Sequence, residues 1–223
     1  MAKPVDYKEL YRVQDKILDI IFSEESIFYL TGGTCINRFY SEKRYSDDLD
    51  FFTSDNNLFR DNIRMMYNIF GENKISIEQV ADSKDFVRII VDEILKVDFV
   101  NDRTFYYGKT LQSEKGYILD NAMNMLANKL SAVIGRDEPK DIFDLFLLST
   151  LTEFNWGTIA EASRKKEIFE YDILEYRLKT FPLVLLDKLT LKDQSFLSMI
   201  KTGYHLMVDD IICGGNNRLF GEF

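Results

Sequence analysis

The sequence predicts an α+β protein, with an α/β half over residues 1–115 and an all-helical half over residues 116–223. Three observations carry this. Before residue 100, short apolar or alternating runs of strand length recur between two amphipathic helical stretches. After residue 119, successive stretches carry apolar residues at helical spacing and no strand pattern. With only 3 prolines and 11 glycines in 223 residues, the chain has no composition suited to a long linker.

The first helix is expected over Tyr7 to Phe22, where Leu10, Val13, Ile17 and Ile21 fall on one face. Ile27 to Leu30 is an apolar run that ends at Thr31-Gly32-Gly33, a strand followed by a turn. Thr34 to Tyr40 opens a helix at that turn, and Asp48 to Thr53 alternates as a strand does. Asn56 to Phe70 has helical spacing, with Gly71 as its stop. Strands follow at Lys74 to Val80, Phe86 to Val91 and Ile94 to Val100, with Asp92-Glu93 as a hairpin turn. Arg103 to Lys109 is expected as an edge strand. Helices are expected over Leu119 to Ile134, Pro139 to Leu151, Gly157 to Lys166, Tyr171 to Phe181 and Gln194 to Ile212, with an irregular tail from Gly214.

A hydrophobic content of 46% is enough to pack a core for one domain with an appendage or for two small domains. The formal net charge of −9 weighs against nucleic-acid binding by bulk electrostatics, although a local basic patch is compatible with it. No basic-then-apolar leader opens the chain, and no apolar run approaches the roughly 20 residues that span a bilayer. Two cysteines far apart in sequence, Cys35 and Cys213, suit free thiols in a reducing compartment. The expected location is the cytoplasm, without a membrane partner.

The chemistry concentrates in FYLTGGTCINRFYSEKRYSDDLDFFT, residues 28–53. In a strand, residues two apart share a face, so Asp48 and Asp50 point one way and Leu49 and Phe51 the other. Such a pair supplies two hard oxygen ligands for Mg2+. Taken alone, the commoner reading of D-x-D is a solvated acidic edge. In LKVDFV, Leu95, Val97 and Phe99 form an apolar face, and Asp98 points away from it. Beside the Asp48–Asp50 strand it would complete a three-carboxylate set suited to two metal ions; the alternative is an ion pair with Lys96 or Arg88. Gly32-Gly33-Thr34 is neither a P-loop nor a GxGxxG fingerprint. It can still offer backbone N–H groups to phosphate, or serve only as a tight turn.

In the helical half, Lys129 falls inside the apolar arc of LDNAMNMLANKLSAVI, where an ammonium needs a partner or a ligand. In PKDIFDLFLLSTL apolar residues surround the helix, so Asp141 and Asp144 should be buried, with Arg136, Lys140 or Lys129 as candidate partners. His205 is the lone histidine and no zinc spacing is present.

Taken in order, FYLTGGTCI, YSDDLDFF, LKVDFV and NKLSAVIGRDEPKDIFDLFLL make the chain resemble the AbiEii/AbiGii-type nucleotidyltransferase toxins, in the superfamily whose catalytic domain is like that of DNA polymerase β. The resemblance implies a polymerase β-like nucleotidyltransferase core, a mixed sheet flanked by helices, followed by a C-terminal helical bundle. It implies an enzyme that moves a nucleotide from an NTP to an acceptor and releases pyrophosphate. By position, Gly32, Gly33, Thr34 and Ser46 correspond to nucleotide-contacting residues. Asp48 and Asp50 correspond to metal ligands, and Asp98 to a third carboxylate acting as base or second-metal ligand. Lys129 corresponds to a lysine on the triphosphate and Asp141 to an essential acid. Lys140 and Asp144 belong to the same segment and are assigned to nucleotide binding. Thr34 stands where serine is more common, and Lys140 where arginine is common. The implied cofactor is Mg2+, as two ions. The implied partners are GTP or a pyrimidine NTP, an RNA acceptor such as tRNA, and an antitoxin encoded nearby in an abortive-infection pair. The region after Leu151 matches no named pattern. The competing functions are transfer to a small hydroxyl compound such as an antibiotic, and nucleotide binding without catalysis.

Overall fold

The computed structural model describes residues 5–23, 26–54 and 56–222. The chain forms two compact units, and the division is interleaved rather than a single cut near residue 115. The sheet unit takes Met1–Cys35, Ser46–Arg103 and Thr110–Asp120. The helical unit takes Ile36–Tyr45, Thr104–Lys109 and Asn121–Phe223.

In the sheet unit the elements are α1 (Tyr7–Phe22), β1 (Tyr29–Thr31), α2 (Gly32–Cys35), β2 (Asp48–Ser54), α3 (Phe59–Glu72), β3 (Ile77–Asp82), β4 (Phe86–Val91), β5 (Leu95–Asp102), β6 (Leu111–Gln112) and β7 (Ile118–Leu119). The strands form one mixed seven-stranded sheet in the order β3-β4-β5-β2-β1-β7-β6. The β2–β5 and β1–β7 pairs are parallel; the others are antiparallel. One sheet face is apolar. Leu49, Phe51, Val97 and Phe99 are fully buried on it, and the Phe51 and Phe99 rings stack at 5.5 Å. α1 and α3 supply the other half of that core. Asp6 caps α1 by accepting from the N–H groups of Lys8 and Glu9, and α1 turns Leu10, Val13, Ile17 and Ile21 inward. From α3, Phe59 meets Phe28 at 6.0 Å, and Phe28 in turn meets Phe99 at 5.1 Å.

Local chemistry explains where elements begin and end. Asp92 and Glu93 take left-handed backbone in the β4–β5 turn, as a tight hairpin requires. Lys74 is also left-handed and donates its N–H to the Gly71 carbonyl, so α3 closes there and the following strand begins at Ile77, not Lys74. The edge strand expected at Arg103–Lys109 is absent. Thr104–Lys109 belongs to the helical unit, and the short strands β6 and β7 form the sheet edge instead. The helix expected from Thr34 to Tyr40 is split: α2 ends at Cys35 and a wider π turn runs over Ile36–Tyr40.

The helical unit contains that π turn, α4 (Ala122–Gly135), α5 (Pro139–Leu151), α6 (Trp156–Lys166), α7 (Tyr171–Thr180), a 3-10 turn (Leu183–Lys188) and α8 (Gln194–Cys213). α4 starts later than Leu119 because Leu119 is in β7 and Asn121 caps the helix, accepting from Asn124 N–H at 2.9 Å. Pro139 opens α5, whose residues from Asp141 to Ser149 are all buried. At the α8 terminus Gly214 adopts the left-handed conformation. Beyond it, Asn217 Nδ2 donates to the carbonyls of Ser149 (2.7 Å) and Thr152 (2.9 Å), which ties the irregular tail to α5. None of the described helices is long and apolar enough to cross a membrane.

Candidate active site

The second face of the sheet carries the charges. β2 and β5 run parallel with Asp48 opposite Lys96 and Asp50 opposite Asp98, and the next pairing sets Asp98 opposite Arg88 on β4. Because strand residues alternate, the residues that bury Leu49, Phe51, Val97 and Phe99 also place Asp48, Asp50, Asp98, Lys96 and Arg88 on one surface. Lys96 Nζ lies 2.7 Å from Asp48 Oδ2 and 4.0 Å from Asp98 Oδ2. Arg88 donates from Nε and Nη2 to the two Asp98 oxygens, each at 2.7 Å. The ion pair that the sequence offers as the alternative for Asp98 is therefore present, on a carboxylate that is buried. Partial burial pulls the Lys96 ammonium down, but its bond to Asp48 and the charges of Asp48, Asp98 and Asp50 outweigh that, so its pKa is raised.

β1 lies on the other side of β2, with Thr31 opposite Asp50, and the glycine turn follows directly. Gly32 has φ +71°, and a Cβ there would stand 2.3 Å from Asp50 Oδ2. Only glycine both adopts that backbone and leaves room for the carboxylate. The Thr34 hydroxyl donates to the Asp48 carbonyl, which joins the turn to the acidic strand. Ser46, buried just before β2, is held through its backbone: its N–H donates to Tyr11 Oη at 3.1 Å, and its carbonyl accepts from Gln14 Nε2 at 3.0 Å. Gly33 is partly exposed in the turn.

Gly32→Ala should lower the melting temperature by roughly 2–8 °C, since an alanine forced left-handed costs about 1–2 kcal/mol and here also pushes on Asp50. Gly71→Ala is the control, because a Cβ there meets nothing within 4 Å and lies inside α3. Equal melting temperatures for the two variants would show that Gly32 is not constrained by Asp50.

The other predicted residues form a separate cluster within the helical unit. Lys129 Nζ lies 2.9 Å from Asp141 Oδ1 and 2.7 Å from Asp144 Oδ2. Asp141 also accepts from Arg136 Nε at 2.7 Å. Asp144 is fully buried and receives Arg44 at both oxygens, Nε to Oδ1 at 2.9 Å and Nη2 to Oδ2 at 2.7 Å. Asn37 Nδ2 adds a third donor to Asp144 at 3.0 Å, and its own carbonyl oxygen accepts from Arg44 N–H at 3.2 Å. Lys140 is half-buried in the first turn of α5. Burial pushes the Asp144 carboxyl up, but the charges of Arg44 and Lys129 more than reverse this and hold it below the usual carboxylate range. Burial likewise lowers Lys129, and Asp144 and Asp141 outweigh it, so that pKa is raised. Sequence reasoning names Lys129 and Arg136 as partners for these acids and misses Arg44 and Asn37. The signal was an aspartate walled in by apolar neighbours on every side, which requires a strong partner from a distant segment.

The mixed sheet, with a glycine turn packed against register-matched carboxylates, belongs to the nucleotidyltransferase class. Residues 17–118 match the family described as the nucleotidyl transferase AbiEii toxin of a type IV toxin–antitoxin system. Two solved structures share the fold across nearly the whole chain. JHP933 from Helicobacter pylori has a TM-score of 0.59 at 18% identity, covering 94% of this chain and 95% of its own. A putative nucleotidyltransferase from H. pylori has a TM-score of 0.56 at 18% identity, covering 94% and 97%. No curated protein matches the chain.

Proposed function

We propose that this nucleotidyltransferase is a Mg2+-dependent toxin that transfers an NMP from an NTP to an RNA acceptor, with tRNA as the first candidate and a nearby-encoded antitoxin as its partner. The observation that carries the reading is the Asp48–Asp50 pair set against the Gly32 turn, inside the segment matched to the family.

Asp48 and Asp50 fit Mg2+ in donor chemistry: both are oxygen ligands, two residues apart on one sheet face, and the missing Cβ of Gly32 leaves room for the Asp50 carboxylate itself. They would hold the ion, while water and phosphate oxygens complete its shell. When bound, Mg2+ supplies neutralising charge at the reacting phosphate. Following the resemblance, Asp98, opposite Asp50 in the sheet, would be the third carboxylate of the site, and substrate oxygens would complete the shell. Backbone N–H groups at Gly33 and Thr34 would orient the nucleotide phosphates, with Gly32 allowing the close approach. Following the family resemblance, Lys129 would meet the triphosphate, and Asp141 would set the direction of its ammonium. Ser46, Lys140 and Asp144 would support nucleotide binding at one remove. Catalysis of this kind comes from positioning and charge neutralisation rather than from covalent chemistry. A cytoplasmic location follows from the same reading.

The test is incubation of the purified protein with Mg2+, each α-labelled NTP in turn and total tRNA. Label should appear on RNA with at least one NTP and disappear with EDTA. Label only on an added small hydroxyl compound would replace the RNA acceptor. No pyrophosphate release with any NTP and either acceptor would overturn transferase activity.

A further inference from the structure

Within the helical unit, Lys43, Lys179, Lys192, Lys201 and Arg218 each reach a carboxylate. The last turn of α6 differs. Arg164 and Lys165 are exposed and make no ion pair among the described residues, and each lies against an aromatic ring instead. The Lys165 ammonium is 4.8 Å from the Phe105 ring centroid, and the Arg164 guanidinium is 5.2 Å from that of Tyr171. Glu161, Glu167, Glu170 and Asp172 flank these cations in sequence and pair with neither among the described residues. Cations at a helix C-terminus complement its carbonyls. That accounts for the charges but not for the open rings beside them: Phe105 is 37% exposed and Tyr171 43%. Both rings are held in place. Phe105 meets Tyr107 at 6.3 Å, and Tyr171 meets the buried Phe169 at 6.2 Å. The loop that carries Phe105 is fixed from two helices. Lys166 Nζ donates to the Phe105 carbonyl at 2.5 Å, Asn121 Nδ2 donates to the Tyr107 carbonyl at 2.8 Å, and Tyr107 N–H donates to Asn124 Oδ1 at 3.0 Å. Open rings and unpaired cations on fixed supports are the two parts of a surface for single-stranded nucleic acid, where bases stack on the rings and phosphates meet the cations. With a net charge of −9 the protein has no bulk attraction for RNA, so contact must be made by a local patch of this kind.

We propose that Phe105, Arg164, Lys165 and Tyr171 form a surface of the helical unit that binds single-stranded RNA, with the two rings taking bases and the two cations taking phosphates. Arg164 and Lys165 are neighbours on α6, so the rings flank one helix turn and a strand of a few nucleotides can meet both. The assignment of this RNA as the acceptor rests on the RNA-acceptor reading above. Binding itself needs no NTP, metal or transfer, so the two can fail separately.

The test is fluorescence anisotropy of the full chain in EDTA, with a fluorescein-labelled single-stranded RNA of about 12 nucleotides, the same RNA annealed to its complement, and a single-stranded DNA of the same sequence. Phe105→Leu and Tyr171→Leu should each weaken single-strand binding by about 5- to 30-fold and leave its salt dependence unchanged, because they remove stacking and no charge. Phe105→Trp should keep or tighten binding, which separates loss of a ring from loss of fold. Arg164→Gln and Lys165→Gln should each weaken binding and lower the slope of log affinity against log salt by about 0.7. Lys179→Gln makes the same charge change at a cation already paired with Glu175 and should have no such effect. The duplex should bind more weakly than the single strand, since its bases are not free to stack on protein rings. Unchanged affinity in both Phe105→Leu and Tyr171→Leu, an equal loss in Lys179→Gln, or a duplex bound as tightly as the single strand would overturn the surface. DNA bound more tightly than RNA would overturn RNA as its ligand. In transfer, Phe105→Leu and Lys165→Gln should raise KM for the RNA acceptor and leave KM for the NTP unchanged. Weakened binding with an unchanged KM for RNA would overturn the assignment of this surface to the acceptor. Absence of transfer by the unmodified protein would count against the nucleotidyltransferase reading and leave the binding result standing.

Discussion

Asp48→Asn should reduce nucleotide transfer by about three orders of magnitude while leaving the protein folded. Losing one anionic ligand removes several kcal/mol of charge stabilisation at the reacting phosphate, and each 1.36 kcal/mol is a factor of ten in rate. Stability should change little, because the Asp48 side chain is 24% exposed and its pair with Lys96, itself 37% exposed, is open to solvent screening; such pairs contribute about 0–1 kcal/mol. The backbone carbonyl that receives the Thr34 hydroxyl is unaffected by the substitution. Transfer kinetics beside a thermal melt separate the two effects. A folded Asp48→Asn protein with wild-type transfer would remove Asp48 from the chemistry.

Asp144→Ala should produce the largest loss of stability, about 3–5 kcal/mol. It would strand the Arg44 guanidinium, 2% exposed, without its carboxylate. It would also leave Lys129 to Asp141 alone and remove one acceptor from the Asn37 amide. Over a chain of this length the melting temperature should fall by roughly 6–20 °C. Arg44→Met/Asp144→Leu together should cost much less, since no unpaired charge remains. The same pair predicts a pH dependence. Asp144 has a lowered folded pKa, so its contribution is complete above the ordinary aspartate value near about 3.9 and fades as pH falls through the folded value. Lys129 has a raised folded pKa, so its contribution is complete below about 10.4 and fades as pH rises through the folded value. Denaturant midpoints measured from pH 2 to pH 11 should show both falls. In Asp144→Ala the Asp144 component of the acid-side fall should be missing; an unchanged acid limb would mean that Asp144 does not drive it.

The parts of this fold legible in the sequence are those set by periodicity. Leu49/Phe51 and Val97/Phe99 announce buried faces, and the aspartates between them must point away. α5 was legible as a buried helix because its apolar residues run all round. What periodicity does not carry is which strands are neighbours. That Asp50 lies opposite Asp98 depends on a parallel pairing between segments nearly fifty residues apart, whereas Asp98 opposite Arg88 follows from the antiparallel β4–β5 hairpin that Asp92-Glu93 marks. The two-residue strands β6 and β7 are too short to show alternation, so Leu119 of β7 merged with the helix that follows. Arg44 lies in a polar stretch, EKRYSDD, that resembles a solvated loop; nothing local marks it as buried, and only the unmet need of Asp144 points to it.

The interleaved division of the chain bears on how it can be taken apart. The segment Ile36–Tyr45 is covalently flanked on both sides by the sheet unit but folds with the helices, and it supplies Arg44 and Asn37 to Asp144. A fragment starting at Asn121 would inherit the buried acid without two of its three partners, and a fragment ending there would carry the guanidinium with nowhere to place it. No single scissile point yields two self-sufficient halves. Dissecting this chain into a catalytic module and an accessory module, or building a split reporter from it, would require a circular permutation or a graft of residues 36–45 rather than a cut.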